Sequence, residues 1–349
     1  MNHYCTYFDR GYLAVGLALW DSLRRFDPAA ELSVLALDDD TAAVLRQRGE
    51  PGLRTLVLAE LLAADPELAA ARAERSKQEF IFTLTPCLLL HLLRVRPEAQ
   101  PLAYLDADLY FFSSPAPLHA ELETGSVLVV PHRFPPWHDD SALYGRFNVG
   151  ALAFRGDPNG LACLEWWRRR CLESCALTVD GEHFGDQKYL DAWPARFDGV
   201  IESAHPGVNV APWNWARHRF ELQDGALKVD GQPLVVFHFA QFRPIGNRWC
   251  DSGQLEYGIM PLWLRSRLYG EYWAALERAE ASVRAVAPQL PALRRTWGQA
   301  LSPWPFSILR VLWGQCWRRT GPWLVAGRFG LGRFSGRAMS VYRKIRRRR

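Results

Sequence analysis

Asp106 and Asp108 stand one residue apart at the end of an apolar run, Leu102 to Leu105, and a second apolar run, Leu109 to Phe112, follows at once. Two carboxylates between hydrophobic flanks are costly unless something compensates their charge. A divalent cation would do so, because hard oxygen ligands suit Mg²⁺ or Mn²⁺. The run before the acids predicts a buried strand. Ligands of open α/β sheets gather just beyond the carboxyl ends of such strands. Taken alone, the pair also fits a plain turn, which aspartate favours. An EF-hand loop does not fit, since the required Gly and Glu are missing at their spacing.

Other residues with chemical potential lie elsewhere in the chain. His238 follows the apolar LVVF, so a strand could deliver its ring to the same sheet end; a core or edge histidine is the plain alternative. Asn148 and Gly150 open the strand-like FNVGALAF, where an asparagine can equally bond backbone at a turn. Asp186-Gln187 opens a predicted helix, a place where aspartate also serves as an N-cap. Arg75 and Lys77 precede the acid strand; they form a solvated face, or one folds back to a phosphate. His132-Arg133 is expected to face solvent. Trp213 and Trp215 fit packing or stacking on a sugar ring.

The elements that must position these groups read as follows. A strand over 2–8, a helix over 12–26 and a strand over 31–37 predict the strand–helix–strand opening of a parallel sheet. Leu13, Leu17, Trp20 and Leu23 share one helix face. The Asp38-Asp39-Asp40 cluster reads as a turn or cap. Residues 53–58 form a further strand and 59–96 are helix-rich. Pro86 is placed near a helix start, where its missing N–H does no harm. Asp230-Gly231 predicts a hairpin leading into a strand over 234–239. Residues 251–276 are expected to be helical in part.

Of the 349 residues, 49% are hydrophobic and 23% charged, an ordinary globular balance with room for one large domain or two smaller ones. Seven cysteines without a CxxC pair point to a reduced compartment, not to a disulfide framework or zinc site. No secretory signal is read at the N-terminus. No run of about 18 apolar residues is read, so no ordinary membrane-spanning helix is expected.

The net charge of +5 hides a division. Residues 281–349 carry 15 Lys/Arg and no Asp/Glu, leaving 27 basic against 37 acidic residues in 1–280. A globular domain over 1–280 and a basic Trp/Arg-rich extension over 281–349 are therefore expected. In the extension Ile308, Leu309, Leu312, Trp313 and Cys316 share one side of a predicted helix, opposite Arg310 and Arg318. That pattern suits an anionic membrane surface, as does the closing YRKIRRRR. A solvated tail fits the same charges. Nucleic acid is not expected, because the body is acidic.

Four segments in order, DAD at 106–108, FNVGALAF at 147–154, GDQKYLD at 185–191 and FHFAQFRP at 237–244, resemble the GT-A nucleotide-sugar glycosyltransferases. The similarity is to glycosyltransferase family 8 and its bacterial relatives, over roughly residues 3–275. The resemblance implies an α/β fold, Rossmann-like, with a mixed, mostly parallel sheet flanked by helices. It implies that Asp106, Asp108 and His238 hold Mn²⁺ or Mg²⁺ on the diphosphate of a nucleotide-sugar, UDP-sugars being favoured. Thr6, Tyr7 and Phe8 would form the base and ribose pocket. Asn148 would contact the donor sugar, and Asp186 and Gln187 would stand at its reactive face. Arg75, Lys77 and Arg243 are further candidates for the donor phosphates.

The family commonly has a glycine three residues after the histidine, then a lysine on the phosphates. Here position 241 is Gln, and Arg243 is the nearest base. NVAPWN at 209–214 is similar to a stretch near the acceptor side. The reaction implied is metal-dependent, retaining transfer of a sugar to a glycan or lipid-linked acceptor in cell-surface glycan assembly. The setting expected is cytoplasmic, peripheral on the inner face of the membrane. Two alternatives remain: a catalytically silent sugar-nucleotide-binding or scaffold protein, and a phosphohydrolase. The Asp-x-Asp of haloacid-dehalogenase-like phosphatases continues into Thr or Gly, whereas Leu109 follows here.

Overall fold

The computed structural model describes residues 2–136, 139–178, 183–245, 249–252, 257, 259–290 and 293. Strand β1 (His3–Phe8) lies between β2 (Glu31–Ala36) and β4 (Leu102–Leu105), parallel to both. Strand β3 (Leu53–Val57) extends the parallel side beyond β2. On the other side β7 (Phe147–Phe154) runs antiparallel to β4 and to β6 (Val127–Pro131). Strand β8 (Val200–Glu202) closes the edge, parallel to β6. The order β3-β2-β1-β4-β7-β6-β8 is therefore a mixed, mostly parallel seven-stranded sheet, as expected.

Two helical layers cover it. Strand alternation sends Tyr4 and Phe8 to one core with Leu13, Leu17, Trp20 and Leu23 of α1 (Leu13–Phe26), and Cys5 to the other. The first layer is α1 with α2 (Asp39–Arg48) and α10 (Leu262–Val286); the second is α3 (Leu58–Ala64), α4 (Pro66–Glu74), α5 (Lys77–Val95) and α8 (Pro158–Glu173). Every residue of β7 is buried, as befits a strand covered on both faces. Gly16 lets α1 approach closely: a Cβ there would stand 2.1 Å from the Phe8 ring. Short helices α6 (Ala116–Ala120), α7 (Ser141–Tyr144) and α9 (Trp193–Arg196) fill connections.

Asp38 caps α2, its carboxylate accepting from Thr41 N–H at 2.8 Å. One expectation is corrected. Pro86 lies inside α5, not near its start, because a capping box of Ser76 and Glu79 begins the helix well upstream. By length and composition α5 is also apolar enough to cross a membrane, although most of that stretch is packed inside the protein. The division at residue 280 falls within α10, whose Val283, followed by Ala287, is buried in the first core, so the packed body extends past it. The extension beyond 293, with its expected amphipathic helix, lies outside the described residues.

Smaller strand pairs complete the fold. Strand β5 (Leu109–Phe111) pairs antiparallel with β12 (Val236–His238). Strands β9 (Phe220–Gln223), β10 (Ala226–Val229) and β11 (Gln232–Pro233) form a separate meander. Its β10–β11 turn is the expected Asp230-Gly231, both residues at positive φ. Strands β13 (Arg243–Ile245) and β14 (Trp249–Asp251) form the last hairpin.

Candidate active site

The acids follow β4 directly. Asp106 N–H still donates to Gly150 C=O at 2.8 Å, which anchors the turn to β7. Strand β5 then leaves the turn and pairs with β12 in the register Leu109↔His238. This ladder brings the imidazole to the acids: His238 Nε2 lies 3.0 Å from Asp108 Oδ1 and 3.6 Å from Asp106 Oδ2. One ligand atom from each of the three residues lies within 4.8 Å of the other two. His238 is buried, while about a third of the Asp106 side chain remains exposed, at 32%. Tyr104 O–H donates to Asp106 Oδ1 at 2.8 Å.

The electrostatics favour positive charge here. Burial works against an imidazolium, but Asp108 and Asp106 outweigh it and hold His238 above the ordinary histidine range. Burial pushes the Asp106 carboxyl up; the His238 charge pulls it back in part, and Asp108 adds to the rise. Two carboxylates and an imidazole drawn together in this way fit a divalent cation.

A chain of side-chain amides leads away from the ring. His238 Nδ1 is 3.2 Å from Asn209 Oδ1, and Asn209 Nδ2 donates to Asn148 Oδ1 at 2.8 Å. Asn148 Nδ2 donates to Gln187 Oε1 at 2.9 Å, and Gln187 Nε2 donates to Tyr144 C=O at 2.7 Å. Gly150 makes the space, for a Cβ there would stand 2.7 Å from His238 Nδ1 and from Asn148 Oδ1. Trp213 meets the His238 ring edge-on, with centroids 5.1 Å apart.

Asp186 stands behind a second group. Its Oδ2 accepts from Thr85 O–H at 3.1 Å, and Thr85 Oγ1 is 3.0 Å from the Tyr7 hydroxyl. Burial, with the charge of Asp106 added, pushes the Asp186 carboxyl up to about 8. Burial likewise raises the Tyr7 phenol, with Asp186 and Asp106 contributing. Asp186 therefore feels the charge of Asp106.

Not every expected residue arrives there. Phe8 is 3% exposed and packs against α1, which makes it a core residue and not a pocket lining. Thr6 is fully buried, its Oγ1 without a partner among the described residues. Arg75 is committed elsewhere: its guanidinium donates to Thr83 Oγ1 and to the carbonyls of Cys171 and Leu172 at the end of α8. Lys77 is exposed and pairs with Asp9 at 2.7 Å, just past the end of β1. Arg243 is exposed on β13.

His132 corrects the expectation of a solvent-facing pair. It is 4% exposed, stacks on Phe134 and lies 3.4 Å from Asn148 Nδ2; burial pulls its pKa down to about 3. Arg133, at φ 52°, donates to Ser203 C=O and Val208 C=O, which pins the segment leading to Asn209. Asn209 belongs to the NVAPWN segment, whose resemblance to a stretch near the acceptor side gave this residue no role of its own. Thr85 and Tyr104 carried no signal at all, since both lie in apolar runs.

The uncharacterized protein YfnF of Bacillus subtilis (strain 168) is 35% identical over 249 residues, 69% of this chain and 81% of the relative. The uncharacterized protein YfnD of the same organism is 31% identical over 246 residues, 69% of this chain and 78% of the relative. No protein-family model matches the chain. Among solved structures, the galactosyltransferase LgtC with donor and acceptor sugar analogs is 20% identical, at a TM-score of 0.44 over 81% of this chain and 95% of that one. The glycosyltransferase GlyE of Streptococcus pneumoniae TIGR4 is 13% identical, at a TM-score of 0.45 over 84% and 66%. Overlays this loose leave function to the chemistry of the site.

Proposed function

The chain belongs to the family of YfnF and YfnD and carries the GT-A fold, and on that premise we propose that it is a metal-dependent glycosyltransferase. It moves a sugar from a nucleotide-sugar to an acceptor. The observation that carries this reading is the meeting of Asp106, Asp108 and His238 at the carboxyl end of β4. That is where an α/β sheet receives a nucleotide.

Asp106, Asp108 and His238 Nε2 would hold Mn²⁺ or Mg²⁺. Such an ion, when bound, supplies a Lewis acid for the negative charge that grows on a departing diphosphate. The protein's own residues do the rest. Asn148 and Gln187, held by the amide chain, orient the sugar. Asp186 accepts a hydrogen bond near the reacting carbon, and its negative charge, when ionised, favours an oxocarbenium-like state. Trp213, edge-on to His238, helps keep water from that side of the site. The resemblance supports a UDP-linked donor and retention of configuration. The charge division of the chain supports a basic extension that holds the enzyme on the inner membrane surface, near a glycan or lipid-linked acceptor in cell-surface glycan assembly.

A panel of UDP- and GDP-sugars, incubated with Mn²⁺, tests the reading through slow nucleotide release. Release that disappears with EDTA and with Asp108→Ala supports it. Tight sugar-nucleotide binding with neither hydrolysis nor transfer, across donors and acceptors, would replace it with a silent binder. For the extension, a truncation ending near Ala300 that still co-sediments fully with anionic vesicles would remove the membrane role.

A further inference from the structure

We propose that Asn209 is the positioning residue that joins the imidazole of His238 to the amides of Asn148 and Gln187, so that the metal end and the sugar end of the site are set together. The proposal rests on the reading above.

Two backbone groups dictate the direction of the chain. Tyr144 C=O can only accept, so Gln187 turns its NH₂ there, at 2.7 Å, and its Oε1 to Asn148, at 2.9 Å. Asn148 must then donate through Nδ2. Its Oδ1 is left for two donors, Gly150 N–H at 3.0 Å and Asn209 Nδ2 at 2.8 Å. Asn209 therefore presents Oδ1 to His238 Nδ1, at 3.2 Å, and that nitrogen carries the proton. With Nδ1 keeping its proton, Nε2 is the nitrogen that faces Asp108, at 3.0 Å; it donates to that carboxylate while the ring is charged and offers its lone pair when a bound ion displaces the proton. A carbonyl on one connection thus selects the histidine tautomer three side chains away. A fixed tautomer with a free Nε2 is what a metal-binding imidazole needs.

Asparagine suits the position on two counts. It donates and accepts at once, and it tolerates the left-handed backbone found here, φ 57°. The residue is fully buried, and its own carbonyl accepts from Asn214 Nδ2 at 3.2 Å. The next residue, Val210, accepts from His238 N–H at 2.7 Å, which fixes Asn209 beside β12. An aspartate would still accept from His238 Nδ1–H but could not donate to Asn148. Glycine would do neither, yet would keep the backbone conformation.

The test compares the full wild-type chain with Asn209→Asp and Asn209→Gly. Mn²⁺ affinity is read by titration calorimetry, nucleotide release by turnover of a sugar nucleotide at saturating Mn²⁺, and folding by melting temperature. Asn209→Gly is expected to weaken Mn²⁺ binding by about 10–100-fold. Asn209→Asp is expected to keep near-wild-type Mn²⁺ affinity but lose at least about tenfold in turnover, because only the Asn148 end is broken. Equal Mn²⁺ affinity in all three proteins, or equal losses in both variants, would overturn the proposal, since lost packing does not distinguish an acceptor from nothing. If Asn209→Gly fails to fold, the split within Asn209→Asp decides: lost affinity, or unchanged turnover, overturns it. A wild type that binds Mn²⁺ but turns over no donor sinks the transferase reading alone, and the Mn²⁺ comparison still decides the coupling. A wild type that binds no Mn²⁺ overturns both.

Discussion

His238 Nε2 lies 3.0 Å from Asp108 Oδ1, and the N–H of the next residue, Phe239, donates to Asp108 C=O at 2.9 Å. Two positions about 130 residues apart are thus joined through side chain and backbone together. The β5–β12 ladder sets the imidazole, so its place does not depend on a mobile loop.

Without a cation, Asp106 is the member of the cluster held above its ordinary carboxyl range. Burial raises the Asp106 carboxyl, the His238 charge works against that, and Asp108 adds to the rise. Asp106→Asn keeps an acceptor for Tyr104 O–H and removes one charge. In EDTA the variant is expected to melt higher than wild type by a few degrees, about 1 kcal/mol at roughly 2–4 °C per kcal/mol. In Mn²⁺ the order reverses, because only the wild type gains stability from a bound ion. Melting curves with EDTA and with Mn²⁺ decide this, and a variant that melts lower in both would show that the acids serve the fold.

Asp186 carries a pH signature. Its carboxyl, pushed up by burial first and by Asp106 second, titrates in the fold at about 8. The unfolded value is about 3.9. A raised carboxyl favours the fold fully below the unfolded value, and that contribution is lost as pH rises through about 8. Metal-free wild type should therefore lose stability between about pH 5 and pH 9, on the order of a few kcal/mol from this group. Asp186→Asn should flatten that slope. Urea titrations in EDTA across the range measure it, and parallel slopes for the two proteins would refute the assignment.

The frame was legible in the sequence because it rests on periodicity. Leu13, Leu17, Trp20 and Leu23 share a helix face and are buried, and LAYL before Asp106 is a central strand. Pro86 misled because the capping chemistry of Ser76 and Glu79, ten and seven residues upstream, outranks a proline as a sign of where a helix begins. The acids and His238 were legible as types in order. Their meeting depends on a strand register between β5 and β12 that no local pattern encodes. Thr85 was hidden in an apolar run, while Asn209 and His132 stood in segments already singled out and their places are recognisable only by what lies opposite them. Phe8 was assigned from the resemblance and Arg75 from its place ahead of the acid strand, and long-range packing directs both elsewhere.

Gly150 links the metal end to the amide chain through lack of bulk. A Cβ there would stand 2.7 Å from His238 Cε1 and Nδ1 and from Asn148 Oδ1, all three in packed surroundings. Gly150→Ala is expected to lower stability by about 1–3 kcal/mol. It should also weaken Mn²⁺ binding, since the ring can relieve the clash only by moving from Asn209 or from the acids. Denaturation and calorimetry on one preparation check both effects. Intact Mn²⁺ affinity in a folded variant would mean the ring has slack that the close packing denies.

Gln241 stands where the resembling family commonly has glycine, and its φ is 64°. It is the third residue of a turn closed by Phe242 N–H donating to Phe239 C=O at 2.9 Å, the turn that carries the chain from His238 to Arg243. A side chain at such a φ costs about 1–2 kcal/mol. Glycine would relieve that cost but lose about 0.5–1 kcal/mol through its freer unfolded chain. Gln241→Gly should thus be neutral to about 1.5 kcal/mol stabilising, with an equal or higher urea midpoint and an unchanged slope. Strain kept at the edge of a site implies a use for the side chain, here an amide able to donate to a phosphate oxygen. The same variant is therefore expected to raise KM for the sugar nucleotide while leaving kcat nearly unchanged. A stabilised variant with unaltered KM would reduce Gln241 to a strained turn residue and leave Arg243 as the candidate base for the phosphates.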